Sequence, residues 1–320
     1  MPPIESGALF RSPCHRDERD PGFGTCATAV RTASARTESP RVASASVAQA
    51  ERRYRVVQRL GSGSQGVVYL AKDVSRDGDE QPLSVLKIAW RREASRLSIV
   101  REAEVLRALR GSRFVPELIG TLSRAGSMVG LAMRHEHGKT LDRFIEDHGT
   151  RGRLRGAVLE RLAVEITAAV LDVLERGYLH RDLKPSHVLV APRGDRVWLL
   201  DFGLACTRES EAPREISGTF AYASPEQLAA EPLDAKSDLF ALGVILHELA
   251  TGRPFFTRDD VMSWQRFLEV RSRRLRREIA LTGIDRRLAR LIRRLLVVDP
   301  AIRADVEEVA ARLEEIRRRG

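Results

Sequence analysis

Gly61-Ser-Gly63-Ser-Gln-Gly66 is the stretch that most restricts how this chain can fold. Glycines spaced G-x-G-x-x-G leave a backbone that other groups can approach closely, because no Cβ stands in the way. The residues on either side decide which fold uses that property. A dinucleotide-binding fold needs a helix directly after the last glycine. Here Val67-Val68-Tyr69-Leu70-Ala71 follows, and β-branched and aromatic residues in that density predict a strand. Tyr54-Arg-Val-Val-Gln-Arg-Leu60 predicts another strand before it. The glycines therefore belong to a hairpin tip, whose backbone N–H groups can lie over phosphates. No G-x-x-x-x-G-K-[ST] run occurs, which disfavours a P-loop nucleotide hydrolase.

Further along, Leu83-Ser-Val-Leu-Lys-Ile-Ala89 predicts a third strand, reached through the turn-like Arg76-Asp-Gly-Asp-Glu80. Residues 93–110 show helical spacing of Ile99, Val105, Leu106 and Leu109. After Met133 the character turns helical, with amphipathic stretches at 157–176, 237–250, 285–297 and 304–318. Residues 1–50 carry Ala, Ser, Thr, Arg and Pro without periodicity and predict a disordered tail, since they cannot bury enough apolar surface to offset chain entropy. A transit peptide fits them less well, because Asp17, Glu18, Asp20 and Glu38 have the wrong sign.

The three cysteines, Cys14, Cys26 and Cys206, have no C-x-x-C spacing, which argues against a disulfide framework or zinc site and for a reducing, cytoplasmic setting. No apolar run spans a bilayer and no secretory signal begins the chain. Of the net charge of +10, residues 251–320 contribute +7, from eighteen Arg and eleven acidic groups. Arg271, Arg273, Arg274, Arg276 and Arg277 lie at its centre. Their interleaving with Leu275 and Ile279, with no aromatic platform, fits solvated helix faces better than a nucleic-acid site.

Two short runs carry the chemistry. His180-Arg181-Asp182-Leu183-Lys184-Pro185-Ser186-His187 is followed by strand-like Val197-Trp-Leu-Leu200 and then Asp201-Phe202-Gly203. Either run alone means little; both in this order are highly specific. Residues 54 to about 316 thus resemble the catalytic domain of a eukaryotic-type (Hanks-type) Ser/Thr protein kinase, as also found in bacteria.

The resemblance implies an α+β bilobal fold. Residues 51–320 would form the kinase domain, with a small β-rich N-lobe at about 51–133, a hinge at about 134–138 and a larger helical C-lobe at about 139–320. ATP would bind in the cleft with Mg²⁺. Gly61, Gly63 and Gly66 would cover its phosphates, with Leu60, Val68 and Val85 against the adenine and Met133 guarding the back of the pocket. Val85 stands where the family has Ala. Lys87 would hold the α- and β-phosphates, paired with Glu102 or, as the competitor, Glu104; E-x-x-x-L spacing to Leu106 favours Glu102. Arg134, His135 and Glu136 would form the hinge; H-E-H-G there is not a zinc motif. Asp182 would be the base, Lys184 would reach the γ-phosphate and favour Ser/Thr acceptors, and Asp201 would hold Mg²⁺.

Gly218-Thr219-Phe-Ala-Tyr222-Ala-Ser224-Pro225-Glu226 resembles the close of an activation loop, with Thr219 helping to select a hydroxyl acceptor. Asp238 would brace the catalytic loop and Arg303 would pair with Glu226. Arg181 could pair with an activation-loop phosphate on Ser217, or on Thr207 or Ser210, placed there by autophosphorylation. The departure is His187, where the family has an Asn ligand to a second Mg²⁺. A nitrogen ligand suits Mn²⁺ better than Mg²⁺. Two functions follow from it: a protein kinase that runs on altered metal ligation, or a nucleotide-binding pseudokinase that docks or switches partners.

Overall fold

A computed structural model describes residues 53–75, 81–124, 127–149, 154, 156–208, 219–256, 281 and 283–318. The expected tail at 1–50 and the Arg271–Arg277 cluster lie outside them.

The glycine run is a hairpin tip. Strand β1 (Tyr54–Ser62) turns into β2 (Gly66–Asp73), with Gly61 opposite Val68. Register shifts between Val56 and Gln58 and between Arg59 and Gly61 twist the hairpin. Gly66 is fixed by packing: a Cβ there would meet the Ile88 carbonyl oxygen at 2.1 Å. Strand β3 (Leu83–Ala89) pairs antiparallel with β2, setting Lys87 opposite Val68. Strands β4 (Leu118–Arg124) and β5 (Ser127–Arg134) complete a five-stranded antiparallel sheet in the order β1-β2-β3-β5-β4. Helix α1 (Glu93–Ala108) packs Ile99, Ala103, Val105 and Leu106 inward, and Glu102 shares that buried face.

Beyond β5 the chain is helical: α2 (Leu141–Gly149), α3 (Gly156–Glu175), α4 (Pro225–Leu228), α5 (Ala235–Thr251), α6 (Arg286–Leu295) and α7 (Val306–Arg317). Helix α5 is buried on nearly every side, from Ala235 to Ala250. Its ends are chemically marked. The Asp234 carboxylate accepts from the Lys236 N–H at 2.8 Å, and Gly252 closes the helix with a left-handed φ of 67°. Asp285 and Asp305 cap α6 and α7 in the same way.

Of the short strands after Met133, β9 (Val197–Leu199) falls on the strand-like run expected before Asp201, whereas the helical expectation omitted β6 (Lys139–Thr140), β7 (Tyr178–Leu179), β8 (Val188–Val190) and β10 (Cys206–Thr207). Two or three residues are too few to show alternation, so pairing geometry alone defines them. With β9 they form a small sheet, β6-β8-β9, and a ribbon, β7-β10, that carry the catalytic-type loops. The α+β architecture of a β-rich N-lobe and a helical C-lobe is as expected. Among the described residues no helix is long and apolar enough to cross a membrane.

Candidate active site

Lys87 projects from β3 into a buried carboxylate pair. Its Nζ lies 2.6 Å from Glu102 Oε2 and 2.9 Å from Asp201 Oδ1. Glu102 is 1% exposed, whereas Glu104 points to solvent, so helix phase brings the former to the lysine. Burial works against the Lys87 charge, but the Glu102 and Asp201 carboxylates outweigh it and hold its pKa above the ordinary value. Burial raises Glu102, opposed by the ammonium beside it. For Asp201, burial pushes upward, yet Lys87 and its neighbours pull the carboxyl down to about 2. Asp201 is therefore an anion at any physiological pH.

The loop between β7 and β8 supplies the opposite wall. Asp238, buried on α5, accepts from the backbone N–H groups of His180 at 2.6 Å and Arg181 at 2.9 Å. That contact holds Arg181 in the left-handed region at φ 66°, and Asp201 lies there too at φ 65°. Non-glycine residues persist in that region only where surrounding contacts over-determine them. Arg181 itself is 6% exposed, and Nη1 lies 3.5 Å from the Leu204 carbonyl oxygen. Ser210 and Ser217 fall outside the described residues, and Thr207 pairs with Tyr178 in the β7-β10 ribbon.

Asp182 is held from both sides. Its Oδ1 accepts from the Thr219 N–H at 2.8 Å and the Thr219 hydroxyl at 3.0 Å; its Oδ2 accepts from Lys184 Nζ at 2.8 Å. Lys184 also donates to Thr219 Oγ1 at 2.9 Å. These three residues form a closed triangle across a sequence separation of 37.

His187 links the two halves. Its Nδ1 is 2.8 Å from the Asp182 carbonyl oxygen, which can only accept, so Nδ1 carries the hydrogen. Burial lowers the His187 pKa below the ordinary 6.5, so the ring is neutral near pH 7. Nε2 then presents a lone pair 3.5 Å from Asp201 Oδ2. Among the described residues no cluster of three or more His, Cys, Asp or Glu gathers to hold a metal.

The residues expected on the adenine side are placed by register. Val85 pairs with Met133 across β3 and β5, Met133 is 9% exposed, and Val68 adjoins Lys87. Leu60 is 45% exposed on β1. The anticipated Arg303–Glu226 pair is present and fully buried, with contacts at 2.6 and 3.0 Å.

Residues 54–312 match the family model described as a protein kinase domain. The chain belongs to the protein kinase family. It is 29% identical over 214 residues to the mitosis inhibitor protein kinase wee1 of Schizosaccharomyces pombe, covering 67% of this chain and 24% of that protein. It is 31% identical over 279 residues to the serine/threonine-protein kinase pkn3 of Myxococcus xanthus, covering 82% and 50%. To the serine/threonine-protein kinase PknB of Mycobacterium tuberculosis it is 29% identical over 223 residues, covering 66% and 34%. The chain thus spans about a quarter to a half of the length of these relatives.

This kinase domain also holds contacts that the motifs did not announce. Gln65, inside the glycine run, places Oε1 2.9 Å from Lys87 Nζ. Trp90 pins the same loop, its indole N–H donating to the Gly63 carbonyl at 2.8 Å and its backbone N–H to the Gln65 carbonyl at 3.1 Å. Ser98 and Arg101 on α1 donate to the Gly203 carbonyl at 3.1 and 3.2 Å, tying the helix that bears Glu102 to the Asp201 turn. Polar side chains at loop tips and on helix faces are too common for any sequence signal to single these out.

Proposed function

We propose that this chain transfers the γ-phosphate of ATP to Ser and Thr hydroxyls of proteins, itself included. One observation carries the reading: Lys87, Glu102 and Asp201 meet on one side, Asp182, Lys184 and Thr219 on the other, and His187 bridges them. Two lysines and three carboxylates leave this cluster one negative charge, which suits a divalent cation carried in by an anionic ligand. The donor set therefore fits ATP with its metal. Lys87 would hold the α- and β-phosphates, the Gly61–Gly66 hairpin would cover them, and Asp201 and His187 would hold the metal. When bound, the nucleotide supplies the phosphoryl group and the metal neutralises charge on its oxygens.

The remaining work falls to positioned side chains. Asp182 accepts the proton of the acceptor hydroxyl. Thr219 and Lys184 keep its carboxylate aimed, and Lys184 adds positive charge next to the group in transit. The Lys184–Thr219 arrangement favours Ser and Thr as acceptors. The relatives named as serine/threonine-protein kinases support the same class.

His187 replaces the carbonyl oxygen of the family's Asn with an imidazole nitrogen. Nitrogen donors suit Mn²⁺ better than Mg²⁺, so Mn²⁺ should support transfer at least as well as Mg²⁺. The same residue favours a second reading, a nucleotide-binding pseudokinase that docks or regulates without transfer. The deciding experiment follows ³²P from labelled ATP into the chain and into a generic protein substrate, in each metal, beside Asp182→Asn and His187→Asn. Transfer that disappears in Asp182→Asn establishes the kinase. No transfer in either metal, with activity appearing in His187→Asn, establishes the pseudokinase.

A further inference from the structure

A groove of about 1140 Å³ lies behind the hinge and shares no lining with Lys87, Asp182, Asp201 or the Gly61–Gly66 run. The C-terminal end of α1, the segment leading into β4, and the starts of β3 and β4 bound it, with Arg196 and Trp198 closing one side. We propose that it docks an acidic, Asp- or Glu-rich peptide segment of a partner protein.

Charge carries the argument. Six arginines line the groove (53, 107, 110, 113, 134 and 196) against three carboxylates, Asp73, Glu117 and Glu136. The excess is three positive charges. Two arginines are spent inside it: Arg53 on Asp73 at 3.2 Å and Arg134 on Glu117 at 2.5 Å. Arg113 turns to Glu165, which is not part of the lining, at 3.0 Å. Arg196 stacks over the Trp198 ring at 5.0 Å and is exposed. Arg107 and Arg110, one turn apart on α1 and just beyond its end, are exposed and have no ion pair among the described residues. Burial raises the pKa of Glu136, with Arg134 and then Arg196 pulling it the other way.

The floor explains why a peptide fits better than a small anion. Leu83 and Ile119, both lining the groove, are each 38% exposed and give it an aliphatic surface. Ser84 adds a buried hydroxyl that makes no hydrogen bond. A segment that alternates carboxylates with apolar side chains would satisfy both rim and floor. A free phosphate or nucleic-acid backbone would leave the aliphatic floor wet. Arg107 and Arg110 also ride on the helix that presents Glu102 to Lys87, so an occupant seated on them holds that helix from its far end.

The test uses the full chain without nucleotide, so its outcome is separate from that of the phosphoryl-transfer reading. Fluorescence anisotropy follows a labelled peptide of alternating Glu and Leu, with a Lys–Leu peptide as control. The expected result is saturable binding of the acidic peptide alone, weakened about tenfold or more by Arg107→Glu with Arg110→Glu. The matching reversal of the exposed Arg286 and Arg290 on α6 should change it by less than about twofold, since those charges lie outside the groove. No binding at physiological salt overturns the proposal, as does equal loss in the two pairs, which would mean only general attraction to a basic chain. Competition by duplex DNA as strong as by unlabelled peptide overturns it in favour of a nucleic-acid surface. If the reversal disturbs the far-UV spectrum, Arg107→Gln with Arg110→Gln makes the same comparison.

Discussion

Gln65→Ala should tighten nucleotide binding. The Lys87 ammonium has three N–H groups and uses all three, on Glu102 at 2.6 Å, Asp201 at 2.9 Å and Gln65 at 2.9 Å. A phosphate oxygen can reach Nζ only by replacing one of them. Glu102 is charged and buried, and Asp201 is charged as well; Gln65 is neutral and sits on a hairpin tip, so it yields first. Its carboxamide also covers the Asp201 turn, where a Cβ added to Gly203 would stand 2.5 Å from Oε1. Trp90 holds the loop in this closed position. On the proposed reading, nucleotide would have to break the Lys87–Gln65 hydrogen bond, worth about 1 kcal/mol net. Removing it should lower the Kd for ADP or ATP about fivefold, at 1.4 kcal/mol per factor of ten. Calorimetric titration of wild type and Gln65→Ala, with and without Mg²⁺, reads the change. Unchanged or weaker binding would refute the displacement argument and mean that the carboxamide stays on as a phosphate donor.

Two further outcomes follow from buried charges. Arg303→Met should cost about 3–5 kcal/mol in urea unfolding, because it strands Glu226 along with the carbonyls of Lys236, Val297 and Val298; adding Glu226→Gln should recover part of that, and a single-variant loss below about 1 kcal/mol would contradict the burial argument. Lowering the pH from about 7.5 to about 5.5 should lower stability. Burial holds His180 and His187 below 6.5, so the unfolded chain binds those protons first and stability drains away as the pH falls through 6.5. A urea midpoint that is flat or rises over that window would be inconsistent with neutral buried rings. Asp201, held at about 2, contributes above its ordinary 3.8 and loses that contribution only as the pH falls toward 2, well below the window.

Local chemistry made much of the N-lobe legible. β-branched runs fixed β1, β2 and β3 to within two residues at each end, because adjacent antiparallel strands answer mainly to their own residues and a glycine turn. Helix periodicity likewise located α3, α5, α6 and α7; in the structure Asp residues cap α5, α6 and α7, and Gly252 ends α5. The E-x-x-x-L spacing that favoured Glu102 over Glu104 came from the resemblance, and helix phase, a local property, is why Glu102 shares the buried face of α1 with Leu106. Strands β6, β7, β8 and β10 escaped because two or three residues carry no period, and α2 escaped between them, whereas β9 was legible as the apolar run before Asp201.

What sequence alone determined was the inventory: which residue types occur, in which order, on strand, helix or loop. Tertiary structure decided their company. Lys87 and Asp201 are 114 positions apart, and Arg303 and Glu226 are 77 apart. Only the packing of α1 on the sheet and of α5 beneath the catalytic loop fixes those distances. The His187 tautomer was decided by one carbonyl at 2.8 Å, the hold of Gln65 on Lys87 by a loop pinned through Trp90, and the basic groove by six arginines drawn together from five segments. None of these has a local signature, because each energy depends on a partner that the chain supplies from far away.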